Sequence, residues 1–322
     1  MPRYRHSHIV PQGYLRAWCD DGVLATGRPG SRATQLLPPQ TVGVRRGFYA
    51  ERQLDGTYVD RLEPAMSPVE SDAVALMRSA EEHWPLGGSD RATLAEFMAL
   101  QFVRTPAWRA WYEHALRNAI GDLRADGAHR PEVVAEASEF MRTDEERHRG
   151  MLFKLPLIGT LIANMHWTLL RTGAPRLATS DHPFAPVPIS GEPAPAHPIP
   201  AGGLMNAAEF RFALSPRHLL LLTWLDEIDE PVGKLAIEHV RNHNSVVIAQ
   251  AEEHWFHHPC CRAEHAPRAW GPISLDLYAR RGYRPQTSRH RAYVQRVLDE
   301  LNESDDARAS IKLIHWDQPR AA

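Results

Sequence analysis

SDRATLAEFMALQFVRTPAW, residues 89–108, is the stretch from which the fold class is read. Leu94, Phe97, Met98, Gln101, Thr105 and Trp108 recur at helical spacing, which predicts a long helix starting at Ser89-Asp90. Pro106 lacks an amide donor and its ring clashes with the Phe102 carbonyl, so a kink is expected there. Gln101 and Arg104, one turn apart, fall on the stripe that carries Phe97 and Met98. A bare core would place Leu or Ile at such positions, and breaks of pattern of this kind are expected at functional sites.

Working outward, Ser67-Pro68-Val69-Glu70 has the form of a helix start, with Ser as cap, Pro first and Glu three residues on. Val69, Ala73, Leu76, Met77 and Ala80 continue one apolar stripe from it. Two further helices are predicted at about 131–148 and 231–257, and one more at 288–302. Strands are expected around the turn at 55–57, at 165–172 paired with 177–179 across Gly173-Ala174-Pro175, and as a hairpin of 210–214 with 219–224. The proline-rich stretch from 183 to 200 reads as a long loop. These elements predict an α+β protein, mainly helical with a small antiparallel sheet, with one principal domain over 1–258. Residues 259–322 read as an Arg-rich extension.

The composition is that of an ordinary globular chain of 322 residues, with a formal net charge of −2 that provides no global pull toward nucleic acid or an acidic membrane. Of 37 basic residues only Lys154, Lys234 and Lys312 are lysine, leaving 37 − 3 = 34 arginines, a bias that fits a high-G+C coding sequence. Three cysteines, two of them adjacent, argue against a disulfide framework. With no apolar leader and no apolar run of membrane-spanning length, the chain is expected to be soluble and cytoplasmic, without a membrane partner.

Chemistry concentrates in irregular segments and in polar residues misplaced on apolar faces. His8 can serve as acid or base, and the proline that follows would hold Gln12 and Tyr14 in fixed directions. The alternative is that His8 and Gln12 only satisfy backbone groups of a docked N-terminal segment. A buried Arg104 must be paired or face a cavity, so its partner is Glu70, Asp181 or an anionic ligand. Glu70 itself is accounted for by its capping-box position. Asp181 follows a strand end, where it either works in a site or accepts local amides in an Asx turn. Asn244 lies between Val240 and Ile248 on an apolar stripe and should be hydrogen-bonded.

Two metal-like patterns are incomplete. Glu145-x-x-His148 is a single motif where a di-iron bundle needs two and further glutamates. His257-His258-Pro259-Cys260-Cys261 lacks the two-residue gap that lets one turn present both sulfurs to zinc.

Several segments, in this order, resemble a bacterial family known as domain of unknown function 4238 over about residues 6–258. They are His8-x-x-Pro11-Gln12-x-Tyr14-Leu15-Arg16, Phe48-Tyr49, Val69-Glu70-Ser71, Gln101-x-x-Arg104-Thr105-Pro106, Thr179-Ser180-Asp181-x-Pro183, Phe212-x-Leu214-Ser215-Pro216, and Asn244 with Gln250-Ala251. The resemblance implies a shared fold and brings no activity with it.

The residues themselves suggest a pocket shared by His8, Gln12, Gln101, Arg104, Asp181 and Asn244. In one reading the protein is a hydrolase acting on an anionic, phosphate-bearing or nucleic-acid substrate. His8 and Asp181 are then catalytic, with Asp181 orienting His8 or helping to hold a divalent metal, and Gln12, Gln101, Arg104 and Asn244 bind substrate. The other reading is a non-enzymatic binding or regulatory module for a small anionic ligand or a protein partner.

Overall fold

The computed structural model describes residues 6–31, 33–52, 55–125, 154–187, 207, 209–224, 232–265 and 271–280, with single positions at 132, 135, 148, 152, 295–297 and 299. In chain order the strands are β1 (His6–His8), β2 (Leu24–Gly27), β3 (Thr34–Leu37), β4 (Val44–Arg46), β5 (Glu51–Arg52), β6 (Tyr58–Val59), β7 (His166–Arg171), β8 (Ala178–Ser180), β9 (Ala185–Val187), β10 (Glu209–Ser215), β11 (His218–Thr223), β12 (Gly233–Lys234) and β13 (Trp255–His257). The α-helices are α1 (Gln12–Leu15), α2 (Leu62–Ser79), α3 (Gly88–Val103), α4 (Pro106–Ala125), α5 (Leu155–Ala163), α6 (Ile237–Gln250) and α7 (Ile273–Arg280).

The helix α3 runs through the core. From Leu94 to Val103 only Glu96 escapes burial, and a helix apolar on nearly all sides is one surrounded by protein. It packs on α2 and on α5. Arg91, at its start, donates from Nε to the carbonyl of Ala163 at 2.7 Å and from a terminal nitrogen to that of Met165, closing the end of α5.

The expected single small antiparallel sheet is instead a five-stranded sheet ordered β12-β7-β11-β10-β9, a four-stranded sheet ordered β3-β2-β13-β8, and two two-stranded ribbons, β1-β4 and β5-β6. The large sheet is antiparallel except where β12 joins β7 in parallel. Its central strand β11, HLLLLT, is apolar without alternation because both faces are covered. The hairpin of β10 and β11 forms where the sequence predicts it. By contrast, β8 does not fold back on β7. The turn between them hangs on the hairpin tip, with Thr172 donating to Arg217 O and Leu177 to Pro216 O, and so carries the chain from one sheet to the other.

Three helices differ in their bounds from the sequence reading. Helix α2 begins at Leu62, where Asp60 Oδ1 accepts the Glu63 amide at 3.1 Å, and Pro68 lies inside it. Pro106 does not kink a continuous helix. The chain breaks at Arg104-Thr105, Thr105 Oγ1 accepts the Trp108 amide at 3.1 Å, and Pro106 takes the first position of α4, where a missing amide costs nothing. Helix α6 covers only Ile237–Gln250 of the expected 231–257: Gly233–Lys234 ahead of it pairs with β7 as β12, and after it the chain turns into β13. The predicted helix over 131–148 and loop over 183–200 lie largely outside the described residues, as does the helix over 288–302.

Trp255 lies opposite Gly27 across β13 and β2, and its indole occupies the space where a side chain would stand. A Cβ at Gly27 would lie 2.2 Å from the indole ring. Gly27→Ala is therefore expected to push Trp255 off its hydrogen bond to Arg28 O and cost on the order of 1–3 kcal/mol, measurable as a lower urea midpoint. An unchanged midpoint would show that the indole moves freely.

Candidate functional site

The N-terminal segment is the hub of the polar network. Tyr14 is fully buried and its hydroxyl donates to Ala213 O at 2.8 Å, with Thr179 Oγ1 at 2.9 Å. Trp18 Nε1 donates to Leu177 O at 3.2 Å. These bonds fix the segment against β8 and β10. Gln12 stands half-buried at the start of α1, whose Tyr14 and Leu15 face the core.

His8 lies at the end of β1. Its amide donates to Glu63 Oε1 at 3.1 Å and its Nδ1 lies 3.4 Å from the same oxygen. Its Nε2 is buried and has no hydrogen-bond partner, although the side chain as a whole is 23% exposed. The imidazole is thus oriented on one side by a carboxylate and uncommitted on the other.

Arg104 is 1% exposed and anchors this corner. Its Nε donates to the Tyr49 hydroxyl at 2.9 Å, one terminal nitrogen to Glu70 Oε1 and the other to the carbonyl of His8. Glu70, in mid-helix, is its ion-pair partner rather than the capping-box glutamate expected from the sequence. One turn earlier on the same face, Gln101 is 1% exposed, and neither its amide nitrogen nor its oxygen has a partner. An amide so placed costs a few kcal/mol unless something meets it.

Asp181 accepts three amides, from Glu252 at 2.8 Å on one oxygen and from Glu253 and His254 at 2.6 and 2.8 Å on the other. This carboxylate makes the turn that ends α6. The carboxylate facing His8 is that of Glu63, not Asp181. Asn244 accepts the Ala178 amide at 2.8 Å and donates to Arg176 O and Glu264 O, tying α6 to β8. His8 and Arg104 are therefore in direct contact, Gln101 lies one turn before Arg104, and Asp181 and Asn244 bond around the ends of β8.

The sequence reading missed Glu63, because starting the helix at Ser67 left it outside. Asp60-Arg61-Leu62-Glu63 carries a capping signature that would have found it. It also missed His182, buried with both ring nitrogens unpartnered beside Phe102. Among the described residues no three or more His, Cys, Asp or Glu side chains are grouped to hold a metal ion. No described helix is long and apolar enough to cross a membrane.

Burial pushes His182 down to about 4, and burial together with the Arg211 charge pushes His243 down to about 3. Both are neutral when folded and take protons on unfolding, so their contribution to stability is complete above the ordinary histidine pKa of about 6.5 and is lost as the pH falls toward 4 and 3. Asp181, which burial pushes up to about 6 against the pull of its three amides, works in the opposite sense between pH 4 and 6. Two protons against one leave a net loss of stability on acidification. Urea midpoints should fall from pH 6.5 to 4, and His182→Phe should flatten that limb. A slope unchanged by the substitution would contradict the assignment.

A family model described as a protein of unknown function, DUF4238, matches residues 6–259. No curated protein and no solved structure matches the chain.

Proposed function

The chain belongs to the DUF4238 family, and we propose that it is a hydrolase in which His8 is the acid and base. One observation carries this reading. Glu63 holds the Nδ1 side of the ring while the buried Nε2 is left without a partner. In such a pair Nε2 takes a proton from water as the resulting hydroxide adds to the electrophilic centre of the substrate. Glu63 faces the imidazolium that forms. When the bond to the leaving group breaks, the proton on Nε2 passes to it, and the ring returns to its starting state.

The substrate class we propose is an anionic one, a phosphate ester or nucleic acid. The net charge of Arg104 is met by Glu70, and its three described bonds leave two of its five N–H donors. Direct contact with substrate then falls mainly to the unpartnered amide of Gln101. No step requires a metal.

A second reading is a non-enzymatic module for a small anionic ligand, which would meet the unpartnered Gln101 amide without using His8 as acid or base. Turnover separates the two. Wild-type protein should cleave a generic phosphodiester, RNA or DNA. His8→Ala should lose 10²-fold or more with its circular dichroism unchanged, and Glu63→Gln should lose less. Ligand-induced stabilisation without turnover on any of these substrates would favour the binding module.

A further inference from the structure

Just beyond β13 the chain turns through Pro259 and carries adjacent thiols, Cys260 exposed and Cys261 partly buried. The turn is pinned at both residues. Cys260 N donates to His258 Nδ1 at 3.3 Å, and Cys261 N to His258 O at 3.3 Å. The two sulfurs are thereby presented side by side, 3.5 Å apart. Asp20 and Arg217 both lie close enough to act electrostatically on Cys260, in opposite senses.

That spacing distinguishes between the two things a dithiol can do. A disulfide requires sulfurs about 2.05 Å apart, a closure of roughly 1.5 Å, between residues whose Cα atoms are usually at least about 4.4 Å apart. Neighbours across a trans peptide stand only about 3.8 Å apart, so a bond here would be strained. An atom inserted between the sulfurs needs no such closure. With metal–sulfur bonds of about 2.3 Å, sulfurs 3.5 Å apart subtend an angle of about 100° at the bridging atom. A tetrahedral metal would still need two more ligands, and no third His, Cys, Asp or Glu among the described residues joins the pair.

We propose that Cys260-Cys261 is a bidentate site for a trivalent arsenical, a thiophilic centre that completes its shell with two sulfurs and the substituent it already carries. In the binding step each thiol gives its proton to a departing hydroxide on arsenic. Two As–O bonds break, two As–S bonds form, and two waters leave with no change of oxidation state. The site is separate from His8 and does not depend on the hydrolase reading.

The test uses the full chain and phenylarsine oxide. One equivalent should bind, two of the three titratable thiols should be lost, and the adduct should survive excess monothiol but be removed by a dithiol. Cys260→Ser and Cys261→Ser should each weaken binding at least 100-fold, while Cys19→Ser leaves it unchanged, with circular dichroism confirming that all three fold. Consumption of a single thiol, no binding, or an adduct that persists in Cys261→Ser or requires Cys19 would overturn the proposal.

Discussion

Replacing Arg211 by alanine should unfold the protein or cost on the order of 3–5 kcal/mol, the largest effect we expect of any single substitution. Arg211 and Glu209 are both fully buried and face each other on β10, with Arg211 Nε 2.6 Å from Glu209 Oε1. The remaining bonds come from elsewhere. Arg211 also donates to Asn242 Oδ1 at 2.8 Å and Gly271 O at 2.9 Å, and Glu209 accepts the amides of Ile273 at 3.0 Å and Ser274 at 2.7 Å. Without Arg211 the glutamate keeps two amide donors but loses its countercharge. A chain ending at residue 265 should fail in the same way, because the pair would then lose the Gly271 carbonyl and both amides of α7. Residues 271–280, outside the family match, are in this account part of the folded core. Chemical denaturation of both variants checks it, and near-wild-type stability in either would contradict it.

Arg104→Ala should be the second-largest loss. The guanidinium bridges Tyr49, Glu70 and the His8 carbonyl, so its removal leaves a carboxylate, a buried hydroxyl and a carbonyl without their donor, again on the order of 3–5 kcal/mol. Glu70 is 23% exposed and regains some solvation, which places the loss toward the lower end of that range. Exchanging both members of the pair for apolar residues, Arg104→Met with Glu70→Leu, should cost less than the sum of the single changes, because no charge is then stranded. Additive losses would show that Arg104 and Glu70 do not act as a pair. Since Arg104 also fixes the backbone of His8, the single substitution should abolish turnover through misplacement of the imidazole.

These residues show what could be read in the sequence. The apolar stripe of α3 and the β10–β11 hairpin were visible because their causes are local: helical period in one case, a Ser215-Pro216-Arg217 turn between apolar runs in the other. The chain crossing from β7 to β8 was not, since nothing in Gly173-Ala174-Pro175 reveals that its flanking amides bond to a distant hairpin tip. The same limit hid the break at Thr105. Its hydroxyl cap and the proline after it are a helix start, but they sit inside an uninterrupted apolar period that reads as one helix. Glu209 and Arg211, alternating with Phe210 and Phe212, have the pattern of a half-solvated strand, and they are core because Asn242 of α6 and the segment at 271–274 cover them. An arginine on the apolar stripe of α3 shows in the sequence that Arg104 needs a partner, and Glu70 is a candidate for it, although the sequence around Glu70 reads as a cap.

The central claim is that His8 is held by Glu63 through Nδ1 with Nε2 left bare, and nitrogen NMR of ¹⁵N-histidine-labelled protein tests it without a substrate. The neutral ring of His8 should carry its proton on Nδ1, and Glu63→Gln should shift that resonance while leaving His182 and His243 in place. A proton found on Nε2 in the wild type, or a His8 spectrum indifferent to Glu63→Gln, would contradict the account.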